Sequence, residues 1–183
     1  MNKAVMLSIR PQWCEKIVNG EKTIEVRKTR PKMNTPFKCY IYCTLPKYLH
    51  EDFIATDYPM PQFYGGGKVI GEFTCERIAL IAYDGGELSS TTNAAFSHAT
   101  CLTQSEIIAY IGDKGRCYGW HMSDLRIYDT PRELSEFRRA CKNSWYCESC
   151  AMYCENNGTC GNGSLQLKRP PQSWCYVEAI KDG

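Results

Sequence analysis

The segment GEKTIEVRK, residues 20 to 28, places a lysine, a glutamate and an arginine at positions 22, 25 and 27 just after a glycine. A lysine held in a shielded cleft loses proton affinity and can serve as nucleophile or general base. A neighbouring carboxylate can shuttle the proton or polarise a water. In an ideal strand a separation of three puts Lys22 and Glu25 on opposite faces, so they meet only if Lys22 lies in the turn before the strand. Gly20 makes such a turn available, because glycine accepts a left-handed conformation. The competing reading is a row of solvated charges on an amphipathic strand. Arg27 and Arg10 carry guanidinium forks that suit phosphate or carboxylate, and equally suit surface ion pairs. Trp120, in YGWHM, is a candidate cleft wall for stacking a base, with His121 beside it as a candidate acid–base partner. Tyr40, Tyr42 and Trp174 read either as stacking surfaces or as core. No Ser–His–Asp or Cys–His arrangement follows from spacing.

A second chemistry lies in the cysteines. The chain has 12 of them in 183 residues, and five fall within CKNSWYCESCAMYCENNGTC, residues 141 to 160. The start, MNKAVMLSIR, runs straight into an alternating strand and does not read as a signal peptide. Reduced thiols in a cytoplasm are therefore expected, in place of a secreted disulfide framework. Cys147 and Cys150 form a CxxC pair that lets two thiolates grip one ion. With Cys141 and Cys160 they make a four-thiolate set for structural zinc, and Cys154 is the rival fourth ligand. An iron–sulfur cluster also takes four thiolates, but the spacing is not that of the common ferredoxin run. Such a metal would order a segment with few apolar residues.

The elements that must position these groups read as follows. Residues 4–9 form a buried strand, and Pro11 opens a helix with Trp13, Cys14, Ile17 and Val18 on one face, closed by Gly20. KTIEVRK alternates, with Ile24 and Val26 on one face and Thr23, Glu25 and Arg27 on the other. Strands are expected at 38–44 and 68–81, the latter bent or bulged near its middle, with irregular chain at 45–67. GGG at 65–67 lacks the ending of a phosphate-binding loop and reads as a cleft rim. DGGELSSTTNAAFSHA reads as a polar loop. Thr103 and Glu106 make a capping box for a helix through EIIAYIG. YGWHMSDLRIYD is a strand region, Thr130, Pro131 and Glu133 mark a short helix, and Trp174 to Ala179 is a closing strand. This order does not repeat βαβ, so a small mixed, barrel-like sheet with two or three helices is expected: an α+β fold forming one domain over 1–183, with residues 141–160 as an insert.

Bulk properties narrow the partners. The net charge is +2, from 22 basic and 20 acidic side chains, which does not point to a protein held to nucleic acid mainly by bulk charge but is compatible with a local basic groove. No apolar run has membrane-spanning length.

Four pieces together resemble the ASCH domain family of the PUA-like superfamily: LSIRPQWCEKIVNGEKTIEVRK, VIGEF, YGWHMSDL and LKRPPQSWCYVE. Many phage and bacterial proteins are similar, including ones with a cysteine-rich insert before the closing strand. The resemblance implies a PUA-like β-barrel flanked by helices, with a cleft near the glycine–lysine turn. Family members have been proposed to bind RNA. A smaller bacterial relative is an amidohydrolase that deacetylates N4-acetylcytidine with a lysine, a threonine and a glutamate. Lys22 matches that lysine and Glu25 stands at the threonine's position. Glu72, in VIGEF, is the candidate for the glutamate on geometry alone. Three functions follow: binding of RNA or a modified nucleotide near Lys22; hydrolysis of an acylated or modified nucleoside by Lys22 and Glu25; or a phage or bacterial adaptor that binds a protein partner.

Overall fold

The computed structural model describes residues 3–45, 66–84, 87–89, 94–141, 150 and 161–180. Strand β1 (Lys3–Ile9) is buried on both faces, as its unbroken apolar run requires. It pairs in parallel with β3 (Phe37–Cys43) and antiparallel with β7 (Trp174–Glu178), so the first and last strands lie side by side. β3 pairs with β4 (Val69–Asp84), β4 with β6 (Arg116–Arg132), and β6 with the four-residue β2 (Ile24–Arg27), all antiparallel. The order is therefore β2-β6-β4-β3-β1-β7, and the two-residue β5 (Glu87–Leu88) adds to β4.

The expected barrel is corrected to an open, curled sheet. Among the described residues no backbone ladder joins β2 to β7 or β1. A side chain spans the gap instead: Arg27 of β2 donates to the Ser8 carbonyl of β1 at 2.8 Å and to Ser173 Oγ, just before β7, at 3.4 Å. The β4–β6 ladder shifts register at three places, between Val69 and Gly71, Glu72 and Thr74, and Cys75 and Arg77. Such bulges bend a strand and raise its twist, which curls the sheet.

Helix α1 (Pro11–Val18) starts on Pro11 and ends at Asn19, with Gly20 at φ 74° turning the chain toward β2. Helix α3 (Gln104–Ile111) has the Thr103–Glu106 capping box in both directions. Two expectations fail. The polar stretch expected as a loop contains β5 and a helix, α2 (Ala94–Thr100), because Phe96 and Thr100, four apart, share one buried face. The expected helix at Thr130 is strand: the ladder between Val69 and Arg132 holds the chain extended, and only Leu134–Glu136 forms a 3-10 turn.

Alternation divides the interior. Val5, Leu7 and Ile9 join Phe73 and Trp120 on the inside of the curl, while Ala4 and Met6 join Tyr40, Tyr42, Phe137 and Val177 on the other face. Ile24 and Val26 pack with Phe96, Ile107 and Ile111 of the helices. With its apolar face under α2 and α3, β2 turns its charged face into the curl, and all four of its residues are buried.

Candidate functional site

The turn after α1 sets the geometry of the charged residues. Gly20 lets Lys22 stand before β2, so Lys22 and Glu25 meet as a buried ion pair at 3.4 Å, and Glu25 pairs again with Arg27 at 3.0 Å. Relative exposures are 3% for Lys22, 6% for Glu25 and 8% for Arg27, which excludes a solvated row. Lys22 Nζ also donates to the Thr100 carbonyl at 2.7 Å and the Ile24 carbonyl at 2.9 Å, and lies 5.1 Å from the centre of the Trp13 ring. Burial lowers the Lys22 pKa, and the Glu25 charge opposes that shift. Three acceptors around one amine favour the ammonium form, which has three N–H donors and no lone pair. The sequence reading missed Thr100, Ser8 and Ser173, because each reaches the node through a backbone carbonyl or a distant hydroxyl. Buried Phe96 and Thr100, at helical spacing, were the only signal for the first.

Glu25 lies directly across the β2–β6 ladder from Trp120, so both share the inner face with Arg27, two residues on. Trp120 is fully buried and is not an exposed stacking wall: its ring packs edge-on to Phe37 at 5.8 Å and tilted against Trp174 at 6.1 Å. Two donors on this face are buried without an acceptor, the Trp120 indole N–H and the Arg27 Nε–H. Buried polar groups are almost always paired, so two orphans beside a carboxylate that already holds two cations stand out.

Three other candidates lie elsewhere. His121 points to the opposite face, in register with Ile24 and Arg77, and its Nε2 is buried without a partner; burial and then the Arg77 charge lower its pKa. Glu72 accepts from Tyr128 Oη at 2.7 Å and from Lys38 at 3.2 Å, on the far side of β4 from Lys22 and within the cluster around Tyr40. Arg10 is exposed at the start of α1. Among the interior thiols, Cys14 is pushed up by the Cys43 hydrogen bond and by burial, and Cys39 by burial, while the hydrogen bond with Cys14 lowers Cys43.

The cysteine segment lies largely outside the described residues, including Cys147, Cys154 and Cys160. Cys141 is half-buried and Cys150 exposed, both as free thiols. Among the described residues no group of three or more His, Cys, Asp or Glu side chains is gathered for a metal. The base of the segment is nevertheless closed. Arg138 bridges to Gln166, Arg139 N–H donates to the Leu165 carbonyl at 2.7 Å, and Ala140 N–H donates to Tyr176. The described chain on the two sides of the segment therefore lies side by side.

An open mixed sheet, a helix tucked after its first strand, and a glycine–lysine turn define the class as α+β. No family model and no curated protein matches the chain. Among solved structures it is similar to ASCH from Zymomonas mobilis and to that protein's tyrosine-to-phenylalanine and serine-to-alanine variants, each at 16% identity and a TM-score of 0.57. The likeness covers 96% of this chain and 87%, 90% and 88% of those chains, respectively. The fold is that of an ASCH domain. No helix among the described residues is long and apolar enough to cross a membrane.

Proposed function

We propose that this chain is a binding module for RNA or a modified nucleotide, with recognition rather than bond cleavage at the β2–β6 node. The observation that carries this reading is the pair of unpaired donors, Trp120 Nε1 and Arg27 Nε, buried on one face of adjacent strands. A ligand with carbonyl acceptors on its edge, as a nucleobase has, satisfies both. Trp13 and Trp174 pack against this core and are only partly buried. The ASCH fold and the RNA binding proposed for that family support the reading.

The test is calorimetric titration with single-stranded RNA and with modified nucleosides, comparing wild type with Trp120→Phe, which keeps a ring and removes the N–H. Loss of one hydrogen bond is expected to weaken binding about 2- to 12-fold. Equal affinities in a folded variant would remove the donor from recognition. A hydrolase reading has one observation in its favour, the lowered Lys22 pKa. It requires N4-acetylcytidine to be cleaved by wild type and spared by Glu25→Gln; binding of neither RNA nor nucleoside would turn attention to a protein partner. For the insert, we propose structural zinc on Cys141, Cys147, Cys150 and Cys160, with Cys154 as the alternative to Cys141, holding the segment without taking part in chemistry.

A further inference from the structure

A second feature stands apart from the buried node. Directly after β2, Lys28, Thr29 and Arg30 face Lys114, Arg116 and Tyr118 across a cavity of about 390 Å³. Sequence separates the two sides widely, and the β2–β6 ladder, with Arg27 opposite Tyr118, brings them together. The Lys114 side is shaped by a 3-10 turn, Gly112–Lys114, closed by Gly115 at φ 64°, a left-handed position that glycine takes without strain. Lys114 and Arg116 therefore project from either side of one tight turn.

The charge on this cleft is concentrated and unbalanced. All four cationic side chains are exposed, and none has a carboxylate within 4.0 Å among the described side chains. The whole chain carries +2, so with these four removed the remainder nets −2 (+2 minus +4). Like charges gathered around one cavity repel, and an anion bound among them relieves that repulsion. A volume of this size falls in the range of small-ligand sites. Arginine forks and lysine ammoniums are the donors that phosphate oxygens take best. Aromatic surface adjoins them: Tyr118 lines the cavity, and Thr29 Oγ1 accepts the Trp174 indole N–H at 2.9 Å. Trp174 packs in turn against Trp120 of the buried node. Cations beside aromatic rings are the pattern of single-strand binding, in which phosphates lie on the charge and bases on the rings.

We propose that this cleft binds the phosphodiester backbone of single-stranded RNA, with Lys28, Arg30, Lys114 and Arg116 on the phosphates and Tyr118 against a base. The assignment rests on the RNA-binding reading above and adds a site that reading does not contain.

The experiment is fluorescence anisotropy of a labelled single-stranded uridine oligomer across a salt series of about 50 to 200 mM. Wild type is expected to show a slope of log K against log salt near −3, from about 0.7 per phosphate contact and four contacts. Lys114→Ala/Arg116→Ala is expected to halve that slope, and so is Lys28→Gln/Arg30→Gln, the second pair guarding against a local effect of the turn. Lys168→Ala/Arg169→Ala, exposed cations outside the cleft, is expected to leave it unchanged. Binding by wild type with an unchanged slope in both cleft variants overturns the cleft and leaves RNA binding standing. An equal fall in the Lys168/Arg169 variant overturns it too, in favour of diffuse charge. No binding of the oligomer by wild type overturns both readings together.

Discussion

A neutral lysine amine offers two N–H groups and a lone pair, whereas Lys22 meets three acceptors, the Thr100 and Ile24 carbonyls and the Glu25 carboxylate. Deprotonation would turn the lone pair toward one of those oxygens, so the node resists the step that catalysis by Lys22 needs. The same arrangement makes Glu25 the single anion between two buried cations. Glu25→Gln leaves Lys22 and Arg27 uncompensated, and breaking a buried pair in this way costs about 3–5 kcal/mol. At about 2–4 °C per kcal/mol for a chain of this size, thermal unfolding is expected to fall by roughly 6–20 °C. A fall below about 2 °C, within the range of ordinary surface substitutions, would mean that water relaxes the node. His121 belongs to a separate account. Its pKa is lowered from 6.5 in the fold, so the unfolded chain binds more protons below that pH, and stability falls as pH drops from about 6.5 toward the folded pKa. Urea midpoints at pH 7.5 and 5.5 are expected to converge in His121→Gln relative to wild type; an identical difference in both proteins would clear His121 of that dependence. Sequence suggested that Lys22 and Glu25 could meet through a turn, since Gly20 announces one. It could not assign their acceptors, because a backbone carbonyl such as that of Thr100 has no residue-type signature.

Elements were legible where a local rule governs them. Pro11 at the start of α1 and the Thr103–Glu106 box of α3 are decided within four residues. The helix α2 was not legible, because Ala94–Thr100 is only seven residues long and its helicity depends on Phe96 packing against Ile24 and Val26. The short helix expected at Thr130 failed for the opposite reason: its capping residues are present, but the long β4–β6 ladder extends through them. The faces of β2 were read correctly as apolar and charged. Burial of the charged one depends on the curl of strands far away in sequence. The basic cleft escaped notice because KTR and KGR are each unremarkable, and only strand pairing joins them. The proposed metal in the cysteine segment is tested by its content in the purified protein. The chain on the two sides of that segment is bridged between Arg138 and Gln166, and the metal proposed for it would add a cross-link. Protein purified without chelator is expected to carry about one zinc per chain by elemental analysis. Cys147→Ser is expected to lose most of it, while Cys101→Ser, placed at the end of α2, keeps it. Zinc-free wild type, or equal content in both variants, would remove the metal from the insert.

At the scale of the whole molecule, a sheet that curls without closing leaves a seam between β2 and the β1–β7 pair that no described backbone ladder joins. Side chains bridge that seam, Arg27 by hydrogen bonds to Ser8 and Ser173, and Trp174 by one to Thr29. The features argued for recognition line up along this seam: the orphaned donors inside, Trp174 at the margin, and the basic cleft beyond Thr29. A path of that kind suits a flexible strand. Bases of a single strand can turn inward to the rings and donors while phosphates remain on Lys28, Arg30, Lys114 and Arg116. A paired A-form helix presents its phosphates equally well but keeps its bases stacked and their edges occupied. The two forms should therefore differ by about one base–aromatic contact, roughly 1–3 kcal/mol, or about 5- to 150-fold in affinity. Competition of an oligomer and its own duplex against a labelled single strand, at one fixed salt concentration, measures that ratio. A ratio near one would leave the cleft as a phosphate reader and take the aromatic seam out of recognition. A ratio in the expected range that collapses in Trp174→Ala would tie the two halves of the path into one binding surface.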